Sequence, residues 1–211
     1  YKLAEAANFA GDYFPIWGVC LGFEALGVLE AGIEVLGDFN AHNAAAAMDF
    51  TEDLAASKIF EHVEPALIEQ LASTPLSFEN HKHGISPQEF ESRLSGAYRV
   101  VATSVDKDDV RYVAAMEARD RPYYGVQFHP EKHAFEWSPN MTTLQHTDSA
   151  VRFTLEMAEF LGREVRKSPR LPQPEEVAQP LLMYNYAPVY TGHLSPSGGG
   201  VESNFDQAYF F

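Results

Sequence analysis

The pentapeptide GVCLG at residues 18–22 constrains the fold of this chain more than any other segment, because the sequence periodicity changes across it. Before it, residues 13–19 (YFPIWGV) are aromatic and β-branched, which is typical of a buried strand. After it, residues 21–31 place apolar side chains on one helical face, and Gly32 provides a stop signal. A strand that turns sharply into a helix predicts an α/β sheet.

Cys20, the only cysteine of the chain, lies at the predicted turn, so it is either a small buried apolar residue or a nucleophile. The form G-x-C-x-G between strand and helix is that of a nucleophile elbow, where the tight turn is expected to require small residues on both sides, here Gly18 and Gly22. The amino end of the helix would stabilise a thiolate, and the Leu21 N–H would be placed to donate to an oxyanion.

A thiol nucleophile needs a base, and His129 is the best placed of the eight histidines. It follows a predicted buried strand at residues 122–128, and the carboxyl ends of such strands are where α/β sites collect. The spacing His129-Pro130-Glu131 lets Glu131 orient the imidazole, as the third member of a triad does. A surface histidine in a turn remains the alternative.

Other segments have less specific patterns. Residues 98–105 and 110–118 predict strands joined by a polar turn, and residues 147–167 predict a long helix. The remaining predictions are helix or loop at 42–48 and 60–71, surface loop at 75–87, a connector at 167–176, a final strand at 181–190 and a flexible loop at 195–200.

Composition excludes several classes of protein. The 211 residues, 45% of them hydrophobic, suffice for one sizeable core, and no apolar run is long enough to span a bilayer. The net charge of −15 makes nucleic acid an unfavourable partner, and one cysteine excludes an intrachain disulfide or a four-cysteine zinc site. Asn140-Met141-Thr142 is a glycosylation sequon, usable only in the secretory pathway.

Two stretches together resemble a known family: PIWGVCLGFEAL at residues 15–26 and YYGVQFHPEKHAFEW at residues 123–137. Both resemble the class I glutamine amidotransferase-like superfamily and, more narrowly, γ-glutamyl hydrolase, which trims poly-γ-glutamate tails from folates. The narrower resemblance depends on KHAFEW at 132–137, on the helix at 150–167 and on LLMYNYAPVYTG at 181–192. It implies a flavodoxin-like three-layer α/β sandwich, with residues 1–211 forming a single domain.

The resemblance implies roles for individual residues. Cys20 matches the nucleophile, His129 the catalytic base and Glu131 the third triad position. Two further pairs match oxyanion- or substrate-binding positions, namely Leu21 with Gly22 and His81 with Asn80. For His81 and His83, a solvated loop pair is the alternative, and Lys82 and Lys132 are candidates for receiving substrate carboxylates.

The chain also departs from this family. Several strands and a Gly-Gly loop precede the elbow strand in the family, and that loop supplies a second oxyanion donor, whereas Tyr1 lies one helix before the elbow here. We therefore expect an amino-terminal part to be absent from this chain or supplied by another chain, which would leave an open sheet edge and half an oxyanion hole.

The implied activity is cleavage of γ-glutamyl bonds through a thioacyl-enzyme, most simply of folylpoly-γ-glutamates. The resemblance further implies a homodimer with no metal or organic cofactor, a small poly-γ-glutamyl substrate as partner, and a lysosomal, vacuolar or secreted location. Two alternatives stay open. One is a glutaminase subunit of an amidotransferase, and the other is a catalytically silent structural or interaction protein on the same fold.

Overall fold

Helices and strands alternate along most of the chain in the computed structural model, which describes residues 1–170, 174–190 and 207–209. The α-helices are α1 (Lys2–Phe9), α2 (Leu21–Ala31), α3 (Pro65–Ser73), α4 (Pro87–Arg93), α5 (Lys132–Phe135), α6 (Asp148–Val165) and α7 (Glu175–Ala178). The strands are β1 (Ile16–Val19), β2 (Gly37–Ala46), β3 (Asp49–Phe50), β4 (Ser77–Gly84), β5 (Tyr98–Val105), β6 (Arg111–Ala118), β7 (Tyr123–Val126), β8 (Val189–Tyr190) and β9 (Gln207–Ala208). Short 3-10 helices cover Ile33–Val35, Glu52–Ala56, Gln179–Leu181 and Met183–Asn185.

A five-stranded sheet in the order β1-β7-β6-β5-β3 organises residues 1–169. The pair β1–β7 is parallel, with Gly18 opposite Gly125 and Val19 opposite Val126. The other neighbouring pairs of this sheet are antiparallel, and β2 and β4 form a separate antiparallel pair. The parallel pair matters most for function, because it places the carboxyl ends of β1 and β7 side by side.

Two hydrophobic clusters cover the two faces of this sheet. Neighbouring residues of β6 and β7 face opposite clusters, so that Tyr112 and Tyr124 belong to one cluster and Val113 and Tyr123 to the other. The first cluster includes side chains of α3 and α6, and the second includes side chains of α2 and α4. Helices on both sides of a central sheet are the three layers that the sequence predicted.

The two helices next to the predicted site form where the periodicity places them. Helix α2 covers residues 21–31 and buries Phe23 and Leu26 against the sheet. Helix α6 begins after Thr147, whose side chain accepts a hydrogen bond from the Ala150 N–H at 3.3 Å and so caps the helix. The hydrophobic pattern therefore predicted both elements to within two residues at each end.

Residues 75–87, predicted as a surface loop, form β4 instead, and the segment 42–48 lies largely in its partner strand β2. The polar composition concealed this strand, because its buried Glu79 and His81 pair with each other rather than with water. The segment 60–71, predicted as helix or loop, contains the start of α3 at Pro65, since proline is well accommodated in a first helical turn.

The chain divides into two compact units, Tyr1–Pro169 and Arg170–Phe211. The final strand predicted at 181–190 is wrong for most of its length, because only Val189–Tyr190 pairs, while residues 179–181 and 183–185 form 3-10 turns. Residues 195–200 lie outside the described residues. The extent of one domain over residues 1–211 stays a prediction.

Candidate active site

Cys20 lies at the junction of β1 and α2 with φ 50° and ψ −106°, a backbone conformation that non-glycine residues rarely adopt. Its N–H donates to the Val126 carbonyl at 2.9 Å, and its own carbonyl accepts from the Glu24 N–H at 3.0 Å. Strain of this kind persists only where neighbouring contacts hold it, and it clusters at functional sites. The geometry is that of the predicted elbow.

The glycines on either side of Cys20 differ in what the turn demands of them. A Cβ on Gly18 would lie 2.6 Å from the Gly22 carbonyl oxygen and 2.9 Å from the Phe23 nitrogen, so no larger residue fits without backbone movement. A Cβ on Gly22 would meet no heavy atom within 4 Å. The expectation that both flanking positions need small residues is therefore wrong for Gly22, which faces open space beside the nucleophile.

The first N–H groups of α2 follow Cys20 directly. Leu21 and Gly22 occupy the first two helical positions, where N–H groups have no acceptor within the helix. Helix amino termini stabilise negative charge. These N–H groups can therefore stabilise the oxyanion that forms when Cys20 Sγ attacks a carbonyl carbon. Leu21 directs its side chain to solvent, with 74% of its surface exposed.

His129 follows β7 and is brought beside Cys20 by the parallel pairing of β1 and β7. Its N–H donates to the Phe78 carbonyl at 2.9 Å, and its Nδ1 lies 2.8 Å from Oε1 of Glu131. The Cys20 side chain lies close enough to the imidazole to raise its pKa. The structure thus brings Cys20, His129 and Glu131 together at the carboxyl ends of β1 and β7.

The charges of this set reinforce one another. Burial by itself would lower the pKa of His129, but the hydrogen bonds to Cys20 and Glu131 and their charges raise that pKa to about 9. Burial works to raise the pKa of Glu131, yet the hydrogen bond from His129 and its charge hold it below its ordinary value. At neutral pH the imidazole of His129 therefore holds the proton beside the Glu131 carboxylate.

His81 is buried, so the alternative of a solvated loop residue is wrong for it. Only 4% of it is exposed, its Nε2 lies 3.2 Å from Oε2 of Glu79, and its Nδ1 lies 2.8 Å from the His83 carbonyl oxygen. Its ring meets the Tyr112 ring edge-to-face at 4.9 Å. Burial, together with the nearby Glu79 charge, raises the pKa of Tyr112. The solvated alternative holds for His83, which is exposed and lies 3.0 Å from Asp38.

Asn80 is committed to a backbone contact, since its Oδ1 accepts from the Asn43 N–H at 3.1 Å. Asn43, at φ 45°, in turn donates through its side chain to the Asn140 carbonyl and to Thr142 Oγ1, each at 3.1 Å. The sequence analysis did not single out Asn43, because neither its positive φ nor its hydrogen bonds to residues far along the chain produce a local sequence pattern.

A buried pair inside the two quoted motifs was also missed. Glu24, 6% exposed, accepts a hydrogen bond from Nε2 of the fully buried Gln127 at 3.1 Å. The pair ties the first turns of α2 to the residues just before His129. The only available signal was the position of each residue, four after Cys20 and two before His129.

Of the two candidate lysines, Lys132 has Nζ 3.8 Å from Oε2 of Glu136, whereas Lys82 is exposed. A cavity of about 420 Å³ lies beside the His129–Glu131 pair, with apolar walls that include Trp17, Met157 and Leu161.

Within residues 1–170, 174–190 and 207–209, no group of three or more histidine, cysteine, aspartate or glutamate residues could hold a metal ion. In the same part of the chain, no helix is long and apolar enough to cross a membrane.

Comparison with known proteins gives the same resemblance as the motifs. The family model described as glutamine amidotransferase class-I matches residues 2–146. Gamma-glutamyl hydrolase B of Dictyostelium discoideum is 36% identical over 207 residues, which cover 97% of this chain and 57% of that protein. Gamma-glutamyl hydrolase 1 of Arabidopsis thaliana is 33% identical over 215 residues, which cover 100% and 59% of the two chains.

The human relative extends this comparison. The gamma-glutamyl hydrolase of Homo sapiens is 33% identical over 213 residues, which cover 100% of this chain and 64% of that protein. The predicted resemblance to γ-glutamyl hydrolases is therefore confirmed, and the chain spans about three fifths of the length of these curated relatives.

Proposed function

Because the chain belongs to the class I glutamine amidotransferase family, we propose that it forms the catalytic part of a cysteine hydrolase that cleaves γ-glutamyl bonds. One observation carries the proposal: Cys20, strained at the elbow, and His129, whose Nδ1 lies 2.8 Å from Oε1 of Glu131, follow the paired parallel strands β1 and β7 at the same edge of the sheet. The likeness to proteins named γ-glutamyl hydrolase supports the choice of bond.

In the proposed reaction, Cys20 Sγ attacks the carbonyl carbon of the γ-amide after its proton has passed to His129. The carbonyl electrons move to oxygen, and the Leu21 and Gly22 N–H groups stabilise that oxyanion. When the tetrahedral intermediate collapses, the C–N bond breaks and His129 protonates the leaving amine. Water, deprotonated by His129, then releases the glutamyl product from the thioacyl-enzyme and restores the thiol.

We further propose folylpoly-γ-glutamates as the substrates, with Lys82 and Lys132 receiving some of the substrate carboxylates. Homodimer formation and a lysosomal, vacuolar or secreted location belong to the same proposal. If the chain enters the secretory pathway, the exposed Asn140 is a glycosylation site. These finer statements extend the family resemblance.

The test uses the protein at its full native length with a folate poly-γ-glutamate at acidic and neutral pH, and follows the released glutamates by mass spectrometry. Cys20→Ala and Cys20→Ser are the matched controls, since both preserve the size of the site to within one atom. We expect cleavage by the native protein and loss of at least about 10³-fold in both variants. A folded native protein without cleavage would contradict the proposal.

A second candidate follows from the family match itself, because glutamine is the substrate of an amidotransferase glutaminase domain. The same preparation assayed with L-glutamine alone, by ammonia release, distinguishes the two. Ammonia release that exceeds γ-glutamyl peptide cleavage would favour the glutaminase.

A further inference from the structure

Thr154, on the face of α6 that packs against the sheet, reaches out of its helix to the turn that carries the catalytic pair. It is 5% exposed, and its hydroxyl donates to the Pro130 carbonyl at 2.5 Å. Pro130 separates His129 from Glu131, so this contact falls on the backbone between the two side chains. No local pattern predicts this contact, because 24 residues separate its two members.

The residue type is informative at this position. Threonine is a poor helix former, because its β-branched side chain loses rotamer freedom, and in a helix its hydroxyl commonly bonds back to a carbonyl of the preceding turn. Thr154 instead directs the hydroxyl to another element, while its buried helical neighbours Phe153 and Met157 are apolar. A buried polar group among apolar ones is stable only with a partner, and here that partner is the catalytic turn.

The catalytic turn depends on such outside support. More than half of the Glu131 side chain is exposed, at 55%, so solvent competes for its carboxylate and weakens the ion pair with His129. The backbone of the turn must therefore hold the carboxylate in place. Pro130 has no N–H, which leaves its carbonyl as the only backbone group through which hydrogen bonding can fix that residue.

Three hydrogen bonds hold the turn. The His129 N–H donates to the Phe78 carbonyl at 2.9 Å, the Lys132 N–H donates to the His129 carbonyl at a long 3.4 Å, and Thr154 donates to Pro130. The first fixes the base, and the second is weak by its length. Thr154 therefore supplies the strong contact nearest to Glu131 on its amino-terminal side.

We propose that Thr154 is a positioning residue, whose hydroxyl fixes the Pro130 carbonyl and thereby keeps the Glu131 carboxylate on Nδ1 of His129. Loosening this contact lets Glu131 move into solvent and leaves His129 without its acceptor. The kinetic part of the test rests on the proposed function, whereas the titration part rests on the geometry alone.

The test compares Thr154→Val, which keeps the shape and removes the hydroxyl, with Thr154→Ser, which keeps the hydroxyl and removes a methyl group. The ring protons of His129 are titrated by NMR in the native-length protein and in both variants. We expect Thr154→Val to lower the pKa of His129 by about half a pH unit or more, because the Glu131 charge moves away. Thr154→Ser should restore the native titration.

Kinetics on the γ-glutamyl substrate give the second measurement. We expect Thr154→Val to lower kcat about three- to tenfold with little change in KM, because the base rather than the substrate is displaced. Urea unfolding of both variants measures any loss of stability separately. If Thr154→Val does not fold, Thr154→Ala replaces it in both measurements.

An unchanged His129 titration in a folded variant without the hydroxyl would overturn the proposal, even if the protein became less stable. A native protein that cleaves no γ-glutamyl bond would overturn the proposed function instead, and the titration would still decide the role of Thr154.

Discussion

At the scale of single residues, the turn around Cys20 makes unequal demands on its two glycines. Gly18 has no room for a methyl group, because the Gly22 carbonyl and the Phe23 nitrogen are backbone atoms that cannot move away independently. Gly22 has open space in the corresponding direction. Substitution of Gly18 by alanine therefore measures the steric constraint of the elbow, and the same substitution at Gly22 is the control.

We expect Gly18→Ala to lower the free energy of unfolding by about 1–3 kcal/mol, the usual cost of overpacking. Gly22→Ala should stay within about 0.5 kcal/mol of the native value. Urea unfolding followed by circular dichroism measures both. Equal stability of the two variants would contradict the geometry of the elbow.

The imidazole of His129 gives a pH dependence whose sign follows from its surroundings. Its pKa in the folded protein, about 9, lies above the ordinary value of 6.5, so the folded state holds the proton more tightly than the unfolded state. The stabilisation is complete below about pH 6.5 and is lost as the pH rises through about 9. Protonated His129 also belongs to the proposed reactive form, so activity should fall over the same range.

Glu131→Gln tests the origin of this shift. Removal of the carboxylate charge should lower the pKa of His129 by about 1–2 pH units, which NMR titration of the ring measures directly. The alkaline limb of the pH–rate profile should move down by a similar amount. A His129 pKa that stays near 9 in Glu131→Gln would show that Glu131 is not its charge partner.

At the scale of elements, β4 joins the candidate site to the protein interior. Its Phe78 carbonyl accepts the His129 N–H, while His81, three residues later, is buried with its Nε2 3.2 Å from Oε2 of Glu79. A substitution at His81 can therefore reduce activity through the strand rather than through substrate binding. Asn80, between them in sequence, is half-buried and makes one backbone contact, which makes it the matched control.

We expect His81→Phe to lower the free energy of unfolding by about 3–5 kcal/mol, because it leaves Oε2 of the buried Glu79 without its neighbour and only the Ser77 hydroxyl on that side chain. Asn80→Ala should cost about 1 kcal/mol, the value of one ordinary hydrogen bond. Thermal and urea unfolding give both values. A stable His81→Phe protein with reduced substrate binding would support the substrate-binding role predicted from the family.

Elements could be predicted where one physical signal dominated. Helix α2 and strands β5 and β6 have apolar residues at a clear period, and their predicted bounds agree with the structure to within one residue. Strand β4 has no such signal, because polar and ionisable side chains occupy its buried positions, where Glu79 contacts His81 and Ser77. Partner contacts of this kind arise only when the chain is folded.

At the scale of the whole molecule, both hydrophobic clusters are built from residues between Ala4 and Phe160. The unit Tyr1–Pro169 thus has its own core on each face of its sheet. A chain that ends at Pro169 should unfold cooperatively with a urea midpoint close to that of the full sequence. A broad transition, or loss of the transition, would show that residues 170–211 are needed for the core.

The sequence by itself predicted the elbow from its local periodicity and indicated the family through short motifs, and the resemblance to that family implied the sandwich and the candidate catalytic residues. Only the tertiary structure decided that His81 is buried beside Glu79, that Gly22 faces open space, and that Thr154 holds Pro130. The physical reason is that burial and hydrogen bonding between distant residues follow from packing. No local pattern records which distant group will fill a space or accept a proton.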